Sequence, residues 1–223
     1  GREWAQGAGP VTSGKFITFE GGEGAGKSTQ ARLLAERLRA AGHHVVETRE
    51  PGGTRRGEEI REFLLSGAAV DFGPMGEAVL FCAARDHHVN ELIRPALTRG
   101  DWVLCDRFSD STAAYQGAAG GVKPALVRAL ERVAVADTVP DLTLILDVSP
   151  EAGLKRAAER NGEGDIAPDR FEGMELRFHE ALRACFLQIA EEAPRRCVVI
   201  DAQQAESAVA EDVWEAVVDR LNP

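Results

Sequence analysis

Short apolar runs alternate along this chain with longer segments in which apolar residues recur every three or four positions. A continuous apolar run is typical of a strand covered on both faces, and the longer spacing is typical of a helix with one buried side. Strands are predicted at 15–20, 43–48, 102–105, 142–146 and 197–200. The alternation predicts an α/β fold in which a five-stranded parallel sheet is flanked by helices.

The segments between the strands predict helices with recognisable ends. Predicted helices cover 27–41, 57–65, 76–97, 124–135, 171–192 and 207–221. Pro95 should kink or restart the third helix, because proline has no N–H and its ring clashes with the preceding turn. Ser149 is expected to cap a further helix that starts at Pro150. Loops are expected at 66–74 and 117–121, and the polar, glycine-containing segment at about 156–170 is expected to form a mobile lid.

Length and charge restrict the classes of function. The 223 residues suit one domain, which we assign to 15–223, after a flexible tail of small and polar residues at 1–14. The net charge of −10 argues against nucleic acid and anionic membranes as partners, since both attract basic surfaces. No apolar run approaches the length that crosses a bilayer. The four cysteines include no C-x-x-C pair and indicate reduced thiols in a cytoplasmic protein.

A glycine-rich segment follows the first strand and matches G-x-x-x-x-G-K-[ST], the phosphate-binding P-loop. Glycines let successive backbone N–H groups point at phosphate oxygens, and the next helix adds its positive end. Lys27 can place its charge on the transferred phosphate, and Ser28 can offer a hydroxyl group to magnesium. The predicted phosphate-binding residues are Gly21, Gly22, Glu23, Gly24, Ala25, Gly26, Lys27, Ser28 and Thr29.

Three apolar strands end in an aspartate that could complete a metal site beside the P-loop: Asp106, Asp147 and Asp201. We favour Asp106, because Arg107 follows it at once and places a carboxylate and a cation at the same strand end. The alternative is an Asp–Arg pair that only closes a turn. Asp147 precedes a helix cap and Asp201 a polar loop, which are structural roles.

The arginines fall into two groups that suggest two anionic ligands, a donor and an acceptor. Arg49, Arg85 and Arg107 lie at predicted ligand-facing edges, while Arg156, Arg160 and Arg170 lie in or beside the lid. The alternative is that most of them cover the surface and pair with neighbouring acids. Phe81 and Arg85 share one helix face, where the ring could stack on a nucleobase while the guanidinium reaches its carbonyl oxygen. An aromatic residue at such a position also occurs in ordinary cores.

These motifs together resemble bacterial thymidylate kinases, in the family's order and from about residue 15 to the carboxyl end. The matching segments are GGEGAGKST at 21–29, TREPGGT at 48–54, FCAAR at 81–85, DRF at 106–108, AYQG at 114–117 and LDVSPEAGLKR at 146–156. The resemblance implies a P-loop kinase fold with a mobile lid and transfer of the ATP γ-phosphate to dTMP, with Mg²⁺ as cofactor. It also implies a role in dTTP biosynthesis and a homodimer.

The resemblance further assigns expected roles to single residues. Phe81 would stack on thymine and Arg85 would bond the base, while Arg49 and Arg107 would hold the acceptor phosphate. The rest of the dTMP pocket would consist of Glu23, Ser111, Thr112, Tyr115 and Gln116, with Tyr115 favouring deoxyribose. Ser28 and Asp106 would be the metal-side residues.

A lid arginine is expected to complete catalysis. Gly24 stands where some relatives carry an arginine, so the positive charge on the donor phosphates should come from the lid. Arg160 is the first choice and Arg156 the second, beside Lys27 and Arg107 in the catalytic set.

Two other functions remain open at this stage. One is another nucleoside monophosphate kinase, acting on AMP, CMP, UMP or GMP. The other is a nucleotide-binding switch without catalysis.

The sequence departs from the family's pattern at position 108, where Phe108 stands in place of the tyrosine or histidine that is frequent in relatives. The sequence gives no account of Arg55 and Arg56.

Overall fold

The computed structural model describes residues 14–162 and 171–223, and a five-stranded parallel sheet forms their centre. The strands are β1 (Phe16–Glu20), β2 (Val45–Arg49), β3 (Trp102–Asp106), β4 (Leu142–Asp147) and β5 (Cys197–Asp201). Their order is β2-β3-β1-β4-β5, so the fully buried β1 lies in the middle. The predicted α/β fold with a parallel sheet flanked by helices is confirmed.

At least one helix follows each strand in sequence, as the alternating pattern predicted. They are α1 (Lys27–Ala40), α2 (Arg55–Leu65), α3 (Gly73–His88), α4 (Arg94–Thr98), α5 (Ser109–Thr112), α6 (Pro124–Val135), α7 (Pro150–Gly162), α8 (Leu176–Glu192) and α9 (Glu206–Leu221). The N–H of Ala152 donates to Ser149 Oγ at 3.4 Å, which confirms the predicted cap of α7. The predicted lid falls partly on α7 and partly on 163–170, which lie outside the described residues.

Several predicted boundaries differ from those of the structure. The predicted loop at 117–121 begins inside a helix, because Ala113–Ala119 form π-helical turns that continue α5. The helix predicted from 76 begins at Gly73, and the one predicted from 171 begins at Leu176 after a turn. The restart predicted at Pro95 is confirmed, because α4 begins at Arg94, and the chain before it widens into a π-helical turn at Val89–Ile93 instead of forming a sharp kink. This turn accommodates a ring that would clash with the carbonyl four residues earlier.

The parallel register brings the carboxyl ends of three strands together. Phe19 of β1 pairs with Asp106 of β3, and Asp106 pairs with Arg49 of β2. Apolar side chains of α1 and α9 cover one face of the sheet, including Leu34, Leu38, Val213 and Val217. The carboxyl-terminal edge therefore stands on a packed core, and it is the edge at which open α/β sheets bind ligands.

Within the described part of the chain, no single helix combines the length and apolar character needed to cross a membrane. Arg55–Leu65 and Val70–Thr98 reach these values only as a pair, and they meet at a bend of 84°.

Candidate active site

The loop between β1 and α1 has the backbone conformation that its glycines allow. Gly21, Gly24 and Gly26 have φ angles of 134°, 65° and 88°, in the region that favours glycine. The Lys27 ammonium folds back over this loop and donates to the carbonyl oxygens of Gly22 at 2.7 Å and Gly21 at 3.2 Å. The predicted phosphate-binding loop is thus a compact turn with a buried cation at its centre.

Gly24 has a structural reason to lack a side chain. A Cβ atom there would lie 1.9 Å from the carbonyl oxygen of Gly153, in the first turns of α7. A Cβ atom on Gly153 would in turn lie 2.3 Å from the carbonyl oxygen of Glu23. The P-loop and α7 therefore touch backbone to backbone, and an arginine at position 24 would not fit this packing.

Of the three aspartates at strand ends, Asp106 is the one that meets the P-loop serine. Ser28 Oγ donates to a carboxylate oxygen of Asp106. Asp147 instead forms a two-bond pair with Arg183, at 2.7 and 2.9 Å, and Asp201 accepts from the N–H of Gln203 at 2.9 Å. The structure thus brings together the two residues that were predicted on the metal side.

Arg107 directs its guanidinium at the P-loop from an unusual backbone conformation. Its φ angle is 71°, which is uncommon for a residue with a side chain and tends to occur at functional sites. Its guanidinium donates to the carbonyl oxygen of Gly21 at 3.1 Å and to Glu23 at 2.8 Å. It also lies 4.9 Å from the centre of the Tyr115 ring. These contacts fix a cation beside the predicted phosphate-binding loop.

Glu20 holds the backbone that follows Arg107, and the sequence patterns did not single it out. Its carboxyl group accepts from the N–H of Phe108 at 2.8 Å and from Ser111 Oγ at 2.6 Å. Burial, followed by the charge of Asp110, raises the pKa of Glu20 to about 8. Because it lies at the end of a strand, periodicity alone does not distinguish it from a core residue.

Burial and neighbouring charges shift the pKa values of Glu23 and Lys27. Burial alone would raise the pKa of Glu23, but the charges of Arg107 and Lys27 and a hydrogen bond from Tyr115 lower it to about 2. Burial and the nearby Arg107 lower the pKa of Lys27 to about 8. Glu23 is therefore an anion at neutral pH. Lys27 is mostly charged at neutral pH and loses its proton at a pH only slightly above it.

A cavity of about 490 Å³, partly open to solvent, lies beside this cluster. All but one of the predicted dTMP-binding residues line it: Glu23, Phe81, Arg85, Arg107, Ser111, Thr112, Tyr115 and Gln116. Sequence reasoning missed Arg61 and Leu65 of α2, which line it as well. They belong to an ordinary amphipathic helix, and no pattern in the sequence related them to the site.

Arg49, the remaining predicted residue, lies at a larger neighbouring cavity that is open to solvent. Its exposed guanidinium donates to Glu58 at 3.0 Å, and the Glu58 carboxylate also accepts from the N–H of Gly53 at 3.0 Å. Lys27, Ser28 and other P-loop residues line the same cavity. Arg49 is therefore placed at the phosphate end of the site rather than at the nucleoside end.

The two predicted lid arginines of α7 lie in different places. Arg160 lines the larger cavity with Lys27 and donates to Glu172 at 2.9 Å. Arg156 lines another cavity, toward α9, and donates to the carbonyl oxygen of Ala202 at 2.7 Å. Arg160 therefore shares a cavity with Lys27 and Asp106, and the polar contacts of Arg156 lie on the side of α9. Arg170 lies outside the described residues.

Arg55 and Arg56 lie on the exposed surface of α2, away from both cavities. Arg55 pairs with Glu59 one turn later, at 3.4 Å. Nothing in the structure gives Arg56 a role.

Comparison with known proteins relates this geometry to one family. The family model described as Thymidylate kinase matches residues 19–213. A thymidylate kinase of Bradyrhizobium diazoefficiens is 55% identical over 210 residues, which are 94% of this chain and 91% of that protein. One of Rhodopseudomonas palustris strain BisB18 is 56% identical over 214 residues, covering 96% and 92%. A crystal structure of thymidylate kinase from Ehrlichia chaffeensis has a TM-score of 0.73 at 35% identity, covering 92% of this chain and 99% of that one.

Proposed function

The chain belongs to the thymidylate kinase family and phosphorylates dTMP to dTDP with ATP as donor, and we propose that it does so by direct in-line transfer between nucleotides held in two adjoining cavities. The observation that carries this proposal is the junction between the cavities. Glu23 and Arg107 line both the nucleoside cavity and the P-loop cavity. A cation at this junction lies where an acceptor phosphate and a donor phosphate would meet.

The reaction needs charge neutralisation more than proton transfer. The attacking oxygen of dTMP belongs to a phosphate that is already ionised at neutral pH, so no general base is required. Two anions must instead approach each other, and fixed positive groups lower the cost of that approach. Lys27 would hold the donor phosphate, Arg107 would hold the acceptor phosphate, and Arg160 would reach the donor from α7.

The nucleoside cavity offers contacts for each part of dTMP. Phe81 and Arg85 line it from one face of α3, which suits stacking on the base and donation to a base carbonyl oxygen. Tyr115 donates to Glu23 and so lies beside the sugar and phosphate end, where its ring would crowd a ribose 2′-hydroxyl. Ser111, Thr112 and Gln116 would bind the remaining polar groups of the nucleoside.

Ser28 and Asp106 fit a magnesium ion that accompanies ATP. They supply a hydroxyl and a carboxylate oxygen that already lie within hydrogen-bond contact, and Mg²⁺ prefers such oxygen ligands together with substrate phosphates. When bound, the ion would neutralise part of the phosphate charge.

Binding of ATP is expected to take up a proton on Lys27. Because burial and Arg107 lower the pKa of this lysine to about 8, part of the population is neutral at pH 8, and an incoming phosphate favours the charged form. We expect uptake of up to about half a proton per site at pH 8 and almost none at pH 6.5. Calorimetry with Mg-ATP in two buffers of different ionisation enthalpy measures it. The same uptake should occur in Lys155→Met, which removes an exposed lysine of α7. Equal proton exchange at both pH values would contradict this assignment.

An acceptor panel tests the proposed function. The purified protein is incubated with ATP and Mg²⁺ and with dTMP, dCMP, CMP or AMP, and the diphosphate products are quantified by chromatography. We expect catalytic formation of dTDP and a clear preference for dTMP. Equal rates with dTMP and CMP would favour a general nucleoside monophosphate kinase, and ATP binding without any product would favour a nucleotide-dependent switch.

We also propose that two copies of the chain form a homodimer through the outer surfaces of α2, α3 and α6. Large apolar side chains are exposed on these helices and on the short turn before α3, and exposed apolar surface of this kind is typical of protein contacts. They include Phe63, Phe72, Met75, Val79, Leu126 and Val133.

The four cysteines are unpaired, which suits the cytoplasm, where we place the protein.

A glutamate at position 72 is expected to separate the dimer. Phe72 is 62% exposed and lies 6.0 Å from the ring of Phe63, so Phe72→Glu would place a charge in the proposed interface. Sedimentation velocity should then show monomers where the unmodified protein shows dimers. Val218→Glu, on the exposed side of α9, is the matched control and should remain dimeric. Dimers in both variants would exclude this surface.

A further inference from the structure

Arg85 is buried beside the nucleoside cavity, and neighbouring elements use almost all of its hydrogen-bonding capacity. Its Nε donates to Glu50 at 2.6 Å, and its Nη2 donates to the carbonyl oxygen of Phe108 at 3.1 Å. Its Nη1 donates to Thr112 Oγ1 at 3.1 Å and to Glu131 at 2.5 Å. A guanidinium has five N–H groups, so these bonds account for four and leave one N–H, on Nη2.

That remaining N–H gives Arg85 a defined chemical preference. An N–H only donates, so it favours a carbonyl oxygen on the base and disfavours an exocyclic amino group at the same position. This preference depends on a fixed guanidinium. If the guanidinium could turn, it could present other N–H groups or withdraw from an unsuitable base.

The two carboxylates that hold the guanidinium are fixed in different ways. Glu50 also contacts His88, with Nδ1 2.9 Å from its Oε1, and His88 Nε2 lies 2.7 Å from Thr48 Oγ1. Glu50 is thus part of a buried chain of polar contacts at the end of β2. Glu131 comes from α6, and it does not line the nucleoside cavity. Any effect of Glu131 on the base must therefore pass through Arg85.

Packing alone does not explain why position 131 carries a carboxylate. Its Oε2 is buried and has no hydrogen-bond partner among the described residues, which destabilises the fold. Its Oε1 accepts from Arg85 and, at 3.4 Å, from the thiol of Cys82. Burial, followed by the charge of Glu131, raises the pKa of Cys82 to about 12, so this thiol keeps its proton.

We propose that Glu131 is a positioning residue for base selection, which holds the Arg85 guanidinium so that a single N–H faces the nucleoside cavity. The ligand class that this arrangement selects is a pyrimidine with a carbonyl oxygen at the contacted position, thymine rather than cytosine. The inference rests on the proposed function, because it takes the base of the acceptor nucleotide to occupy this cavity.

Kinetics of Glu131→Ala and Glu131→Gln with dTMP and dCMP test the proposal. In the alanine variant kcat/KM for dTMP should fall about tenfold, the order expected for losing one hydrogen bond between charged groups. The loss should lie in KM, with kcat within about twofold, because the transferred phosphate is bound elsewhere. The preference for dTMP over dCMP should shrink as well. Where dCMP turns over too slowly, its inhibition constant against dTMP replaces kcat/KM.

The glutamine variant and a control separate positioning from folding. Glu131→Gln keeps an acceptor for Nη1 and should retain more of the preference than alanine, and it carries the test if the alanine variant does not fold. Glu215→Ala, on the exposed side of α9, should match the unmodified protein. If the ratio of kcat/KM for dTMP to kcat/KM for dCMP is unchanged in both Glu131 variants, the proposal is overturned. An unmodified protein that does not prefer dTMP would overturn the proposed function instead.

Discussion

Replacing Arg107 by alanine is expected to lower kcat for dTMP phosphorylation by about two orders of magnitude or more. The guanidinium is held at the junction of the two cavities by the carbonyl oxygen of Gly21 and the carboxylate of Glu23. In the proposed function its charge would act where the two phosphates approach, and a fixed charge contributes most in the transition state. Rapid-quench or coupled assays of dTDP formation at saturating ATP and dTMP measure the loss.

Two further variants isolate the role of the guanidinium. The φ angle of 71° at position 107 suits glycine better than alanine, so Arg107→Gly removes the charge without backbone strain. Both substitutions should lower kcat to a similar extent. Arg99→Ala, which removes an exposed arginine at the end of α4, should leave kcat unchanged. Near-normal turnover in Arg107→Gly would remove Arg107 from the catalytic set.

Replacing Arg85 by methionine is expected to destabilise the fold by about 3–5 kcal/mol, the range measured when one partner of a buried ion pair is removed. The side chains of Arg85, Glu50 and Glu131 are 2%, 4% and 14% exposed. Without the guanidinium, two buried carboxylates would lie close together with no cation between them. Urea unfolding followed by circular dichroism measures the free energy of unfolding.

Removing the excess charge should reverse part of this loss. In Arg85→Met with Glu50→Gln and Glu131→Gln, the buried repulsion is absent, so we expect the triple variant to be more stable than Arg85→Met alone. Arg55→Met, which breaks an exposed pair on α2, should change stability very little. A single Arg85→Met variant as stable as the unmodified protein would show that these carboxylates lie in a more solvated environment than the structure indicates.

The arrangement of the P-loop and the strand-end aspartate could be predicted because short motifs specify it. The P-loop glycines, Ser28 and the aspartate at the end of β3 are consecutive or strand-terminal residues, and parallel strands bring their carboxyl ends to one edge. The choice of Asp106 over Asp147 followed from its neighbour Arg107, and the structure brings Asp106 to Ser28. Local sequence is sufficient to predict the part of the site that consecutive residues and strand ends form.

The supports of the site could not be predicted, because they come from distant elements without a pattern of their own. Glu131 is one acidic residue of an amphipathic helix, and only the packing of α6 on α3 brings it to Arg85. Arg61 is likewise an ordinary helical residue until α2 packs beside the cavity. The π-helical turn before Pro95 was missed because a proline in a helix predicts disruption but not its form.

A crystal structure of the protein with bound dTMP tests the central claim most directly, that the two cavities are the two halves of one phosphoryl-transfer site. We expect the thymine ring to stack on Phe81, a base carbonyl oxygen to accept from Arg85 Nη2, and the phosphate to contact Arg107 at the junction with the P-loop. A dTMP molecule bound beside Arg156 and α9, or with its phosphate away from Arg107, would contradict the account.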